Sequence, residues 1–138
     1  MTDRNYNTLS NTFSYDQNIY LNQGQQLLAL SMSATEFIYK YNHYLSTNSY
    51  SISATYLMFE ILPDCTLTMG MSTSVTDPKE QRESRGYEIT FNPSIDFSFT
   101  LFNFLNASIN YNYSNTTSKD VLYVSRNQVV GAELSFGF

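Results

Sequence analysis

The sequence predicts an all-β chain folded as an antiparallel transmembrane β-barrel, with about seven or eight strands in this chain. Three observations lead there. Apolar and polar residues alternate with period two along most of the chain. The polar positions are filled by Ser, Thr, Asn and Gly instead of charged residues. Tyr and Phe gather toward opposite ends of the alternating segments.

Composition sets the frame. A length of 138 residues fits one domain with room for a core. Hydrophobic residues make up 42% and aromatics 16%, which argues against disorder. Charged residues are only 14%, where about 25% is usual. No apolar run reaches the ~18 residues that a membrane-crossing helix needs. A net charge of −5 and a pI of 4.6 argue against nucleic-acid binding, which calls for a basic stripe. The single Cys rules out a disulfide within the chain and makes a zinc site a poor expectation.

Residues 1–11 are polar and carry no apolar h-region of a secretory signal, so the alternating domain is placed at 12–138. Thr12–Leu21 is the weakest strand. Gln26–Thr35 sets Leu28, Leu30, Met32 and Ala34 against Ser31, Ser33 and Thr35, and is expected to continue to Tyr41 after a register change. Ser49–Ile61 sets Tyr50, Ile52, Ala54, Tyr56 and Met58 against serines and Thr55. Cys65–Thr76 has Leu67, Met69, Met71 and Val75 on one side. Tyr87–Phe99 is the clearest case: Ile89, Phe91, Ile95, Phe97 and Phe99 oppose Glu88, Thr90, Asn92, Ser94, Asp96 and Ser98. Leu105–Tyr113 repeats the pattern, and the last strand carries Val130, Ala132, Leu134, Phe136 and Phe138 on one face. No segment reads as a helix.

The connectors alternate in length. Asn22–Gln25, Leu62–Asp64 and the stretch around Leu101–Phe104 are short; Asn42–Asn48, Asp77–Arg85 and Asn115–Asp120 are longer and polar. Transmembrane barrels alternate short periplasmic turns with long outer loops in this way.

Alternation alone also fits a soluble sheet. The polar faces discriminate, because a soluble exterior is rich in Lys, Glu, Arg and Asp, whereas small neutral side chains suit the wall of a lumen. Six of the 19 charges sit in one predicted loop, at Asp77, Lys79, Glu80, Arg82, Glu83 and Arg85. Tyr39, Tyr41, Tyr44, Tyr50, Tyr87, Tyr111, Tyr113 and Tyr123 fall near the long loops. Phe59, Phe97, Phe99, Phe102, Phe104, Phe136 and Phe138 fall near the short turns or the C-terminus. Two aromatic girdles would separate them so.

The C-terminal segment Gly131-Ala132-Glu133-Leu134-Ser135-Phe136-Gly137-Phe138 resembles the last strand of bacterial outer-membrane β-barrel proteins, which typically ends in Phe with apolar residues at alternate positions upstream. The Ser/Thr/Asn/Tyr-rich strands are also similar to barrels of Bacteroidota-type outer membranes. The resemblance implies that Val130, Ala132, Leu134, Phe136 and Phe138 form the signal read by the barrel-assembly machinery. It implies a cell outer membrane location, with the lipid bilayer as partner.

Counting strands back from a final descending one gives about seven, whereas single-chain bacterial barrels normally have an even number. The expectation is that the chain is the C-terminal part of a longer barrel. A further strand within Arg4–Ser10, or a barrel assembled from several chains, would also restore parity. Rows of Ser, Thr and Gly favour the larger barrel, because an eight-stranded interior must be filled by side chains.

Candidate sites are few. Glu88, Asp96 and Glu133 fall on the predicted lumen face, where carboxylates can tune cation preference or simply be solvated. Glu36 and Glu60 share parity with apolar positions, near strand ends where charge costs little, unless a bulge turns them to the lumen. Lys79, Arg82 and Arg85 could touch lipopolysaccharide phosphates, with a solvated loop as the default. His43 lies in an outer loop without a catalytic signature. Cys65 reads as a small hydrophobe. Sequon matches at Asn106, Asn112 and Asn115 are expected by chance in such a chain. No phosphate loop, metal cluster or nucleophile elbow is seen, so no enzyme activity and no cofactor are expected. The expected function is an outer-membrane barrel, acting as a passive porin-like pore or in a structural or surface-interaction role. The alternative is a soluble or secreted β-sandwich that binds glycans or adhesion partners.

Overall fold

The computed structural model describes residues 8–101 and 105–136. Seven strands run β1 (Thr8–Leu21), β2 (Gln26–Tyr39), β3 (Thr47–Phe59), β4 (Cys65–Pro78), β5 (Glu88–Leu101), β6 (Leu105–Thr117) and β7 (Ser125–Phe136). They form one antiparallel sheet in sequence order, with β1 and β7 as open edges. The all-β expectation is met; the sheet is not closed into a barrel.

Register explains how the alternating pattern becomes a surface. One row runs Ile19, Leu28, Tyr56, Met69, Ile95, Tyr111, Val130, crossing all seven strands without a polar residue. Because side chains alternate across a strand, pairing in this register puts every apolar set on the same face. The opposite face collects the small polar residues, which bond across strands. Ser33 and Ser51 hydroxyls lie 2.7 Å apart, those of Thr90 and Thr116 2.9 Å, and Thr100 donates to the Asn106 side chain at 2.8 Å.

Burial is inverted relative to a water-soluble sheet. Ile52 (56%), Met71 (53%) and Ile109 (54%) are exposed, while Ser51, Ser53, Gly70, Ser72, Ser108 and Asn110 beside them are half-buried. Ala107 is the one buried hydrophobic residue among those described. The chain exposes 9988 Å²; a compact monomer of its 15.9 kDa mass would expose about 7,400 Å². The apolar face thus has no covering layer among the described residues.

Several details differ from the sequence expectations. β1 begins at Thr8, four residues before the expected start, because its pairing with β2 extends to Thr8↔Tyr39. β2 reaches Tyr39 with no register change, so Glu36 stays on the apolar face. Pro93 has no N–H for the ladder; pairing between β5 and β6 skips it and Asn92, then resumes at Ser94↔Asn112 in unchanged register. A single helical turn, α1 (Arg82–Arg85), occupies the loop after β4, where no helix is expected from sequence.

The short connections lie at one end and the long ones at the other. In the β1–β2 turn Asn22, Gln23 and Gly24 all hold positive φ, and the turn is closed by Gln25 N–H donating to the Asn22 carbonyl at 3.2 Å. Glu60 and Asp64 hold positive φ in the β3–β4 turn, so Glu60 is a turn residue and not a lumen charge.

Candidate functional surface

Two regions carry chemistry: the polar face of the sheet and the long-loop end. Register fixes the polar face. Its strand positions hold four charged residues among those described, Asp16, Glu88, Asp96 and Glu133, and all are carboxylates. Arg126, the one cation within a described strand, has the opposite parity.

The three expected lumen charges divide into two kinds. Glu88 lies at the start of β5 and accepts from Arg85 Nε at 3.0 Å, with Arg85 Nη2 on the same oxygen. Asp96, paired with Thr68 and Asn110, and Glu133, paired with Ser108, meet no basic side chain at ion-pair distance among the described residues. Asp16 belongs with these two; sequence reading missed it because β1 alternates weakly. Near the turn end a polar groove of about 350 Å³ is lined by Asp64, Thr66, Ser98, Ser108, Glu133 and Ser135 among others, with no Lys or Arg on its wall.

Two glycines let this face pack closely. A Cβ on Gly70 would stand 2.5 Å from the Ser94 hydroxyl, and one on Gly131 would stand 2.7 Å from the Asn110 carboxamide oxygen. Their neighbours lean over the bare backbone, so the polar side chains crowd together while the apolar ones splay outward.

The long-loop end is a knit of ion pairs. Asp77, 6% exposed, accepts from both Nε (2.8 Å) and Nη2 of Arg82. The Asp77 hydrogen bond, then its charge, holds the Arg82 guanidinium pKa above its ordinary value. Arg85 also donates to the Gln81 side chain at 2.9 Å, and its guanidinium stacks 3.7 Å from the Tyr123 ring centroid. Its carbonyl accepts from the Ser118 hydroxyl at 2.8 Å and from Lys119 N–H at 3.1 Å. Lys79 reaches back to Glu36 at 2.5 Å, which Asn11 also contacts at 3.4 Å. Glu36 therefore sits on the apolar face in a polar row with Asn11, Asn48 and Asp77, at the loop end.

The three loop cations considered for phosphate contact, Lys79, Arg82 and Arg85, each face a carboxylate. His43 is exposed in a single 3₁₀ turn over His43–Leu45. Cys65 is a free, half-buried thiol at the start of β4. Among the described residues no group of His, Cys, Asp or Glu could hold a metal ion. Val130, Ala132, Leu134 and Phe136 share the apolar face of β7; Phe138, like Phe102 and Phe104, lies outside the described residues. Tyr39 and Phe59 have polar-face parity at opposite strand ends.

Comparison of the chain with known protein families, curated proteins and solved structures returned no match. The functional reading therefore rests on the surface itself.

Proposed function

We propose that this chain forms wall of an outer-membrane β-barrel, acting as a passive pore or in a structural or surface-interaction role. The observation that carries the reading is the uncovered apolar belt on one face, backed by small uncharged polar residues on the other. Its height fits a bilayer. The apolar runs Tyr50–Met58, Cys65–Val75, Ile89–Phe99 and Leu105–Tyr113 match the ~9–11 residues that a tilted strand needs to cross.

The belt also runs obliquely across the ladder. On β1 the apolar positions Phe13–Leu21 centre on residue 17, and on β7 Val130–Phe136 centre on residue 133. The row through Ile19 and Val130 lies two residues past the first centre and three short of the second. That drift of about five residues, ~17 Å over six inter-strand steps of ~4.8 Å, corresponds to a tilt of roughly 30°. Strands in membrane barrels tilt by about 35–45°.

Both edge strands run from the loop end to the turn end, since an odd number of antiparallel strands separates them. All-antiparallel closure then calls for an odd number of further strands, supplied by more chain or another subunit; joining β1 directly to β7 would make a parallel seam. A β-sandwich would instead cover the belt with a second sheet, and the described residues hold one.

The test is fractionation of native cells with the membrane fraction run in SDS before and after boiling. An outer-membrane band whose mobility shifts on boiling is expected. A band confined to the soluble fraction, with no shift, would refute the reading.

A further inference from the structure

We infer that the polar face favours cations over anions as the solutes passing along it, an inference that rests on the barrel reading above. Three features of the sheet converge on it. Among the described residues the polar positions of the seven strands hold carboxylates on β1, β5 and β7 and no Lys or Arg on any, so the charge of this face has one sign.

The free carboxylates also stand at one level. Asp16 is one residue from the centre of the apolar run of β1, Asp96 two from the centre of Ile89–Phe99 on β5, and Glu133 at the centre of the run on β7. All three strands run the same way. Ladder register sets Glu133 six residues beyond Asp16 toward the turn end, nearly the drift of about five residues of the belt, so measured against the belt the three span about 10 Å at ~3.4 Å per residue. They lie behind the middle of the apolar belt, on three separate strands, and among the described residues no basic side chain is paired with any of them. Glu88 differs on both counts: it is six residues from the centre of its strand's run and bound to Arg85.

The third feature is the groove beside Glu133. Its polar wall offers oxygen atoms from hydroxyls and from the carboxylates of Asp64 and Glu133. Rings of carboxylates at one level of a water-filled passage are how cation channels exclude anions. For an ion passing ~10 Å from each of three such charges in water, screened at ~0.1 M salt, the K⁺ over Cl⁻ preference is about fourfold.

The experiment is the reversal potential of the full chain in planar bilayers under a KCl gradient. It is compared with the Asp16→Asn, Asp96→Asn, Glu133→Gln triple variant, each protein first checked for its heat shift in SDS. The wild-type chain is expected to favour K⁺ about fourfold near 0.1 M, with a ratio near one at ~1 M where the Debye length is ~3 Å. The variant is expected near one throughout. Channels without cation preference, or with one that neither salt nor the substitutions reduce, overturn the inference and leave the barrel standing. Heat-shifting protein that opens no channels overturns the inference and the pore role. Absence of a heat shift in the wild-type chain overturns the barrel reading itself. The wild-type salt series decides the matter even if the triple variant does not fold.

Discussion

Replacing Ile95 with Arg, alongside the same replacement at Ile89, separates a lipid-facing belt from a merely exposed sheet. The two positions are closely matched. Both lie on β5, share the apolar face, and are 49% and 45% exposed respectively. They differ in depth. Ile95 is one residue from the centre of Ile89–Phe99, and Ile89 is its loop-end limit. Six residues at ~3.4 Å, tilted by about 30°, put Ile95 roughly 18 Å below Ile89. In a bilayer an Arg at the midplane of a barrel's lipid face costs about 2–4 kcal/mol and one near the interface about 0–1 kcal/mol. On a water-exposed sheet both substitutions would fall within about 0.5 kcal/mol of wild type. The expected result is that Ile95→Arg lowers the folded-to-unfolded ratio about 30- to 1000-fold, while Ile89→Arg lowers it by less than about sixfold. The assay is urea titration of protein folded in lipid vesicles, read by the unboiled gel band because the chain has no Trp. Costs that agree to within ~0.5 kcal/mol at the two positions would refute the lipid-facing assignment.

Three further outcomes follow from the packing. Gly131→Val drives a branched side chain into the Asn110 carboxamide, whose atoms lie 2.7–3.1 Å from a Cβ there; a loss of about 1–3 kcal/mol is expected. Asn110→Gly in the same chain should recover most of it in a denaturant titration. Arg85→Ala removes the Glu88 pair, the Gln81 hydrogen bond and the Tyr123 stack together, at about 1–3 kcal/mol. Amide exchange at Lys119, which donates to the Arg85 carbonyl, should then speed up about 10- to 100-fold, with Arg85→Lys restoring little because it lacks the planar fork. Leu134→Ser with Phe136→Ser, two adjacent positions on the apolar face of β7, should reduce the heat-shifting fraction recovered from cell membranes; recovery equal to wild type would discard the assembly-signal role of β7.

Much of this architecture was legible in the residues because a strand carries its own period. Tyr87–Phe99 and Cys65–Thr76 alternate so cleanly that each needs only a direction, and the faces they imply are those of β5 and β4. β1 was harder: Asn11 and Gln17 interrupt its apolar parity, which hid the residues before Thr12 and the parity of Asp16. Glu36 left a choice between a strand-end charge and a bulge toward the lumen, since a carboxylate on an apolar face looks misplaced; the missing information was Lys79, 43 residues away in sequence, which comes to it across two hairpins. The helical turn α1 was equally hidden, because its supports are Gln81 beneath Arg85 and a staple from Ser118 and Lys119.

What the sequence determined by itself is the existence of the strands, the chemistry of their two faces and the contrast between short turns and long loops. Period-two alternation and turn-forming residues are local properties, complete within a dozen residues. What only the tertiary structure decided is register: that the apolar sets share one face, that Asp16 shares the polar face with Asp96 and Glu133, that Lys79 meets Glu36 across two hairpins, and that both sheet edges stay open. Those facts depend on which residue of one strand stands opposite which residue of the next, and a slip of one position would have turned a whole strand over.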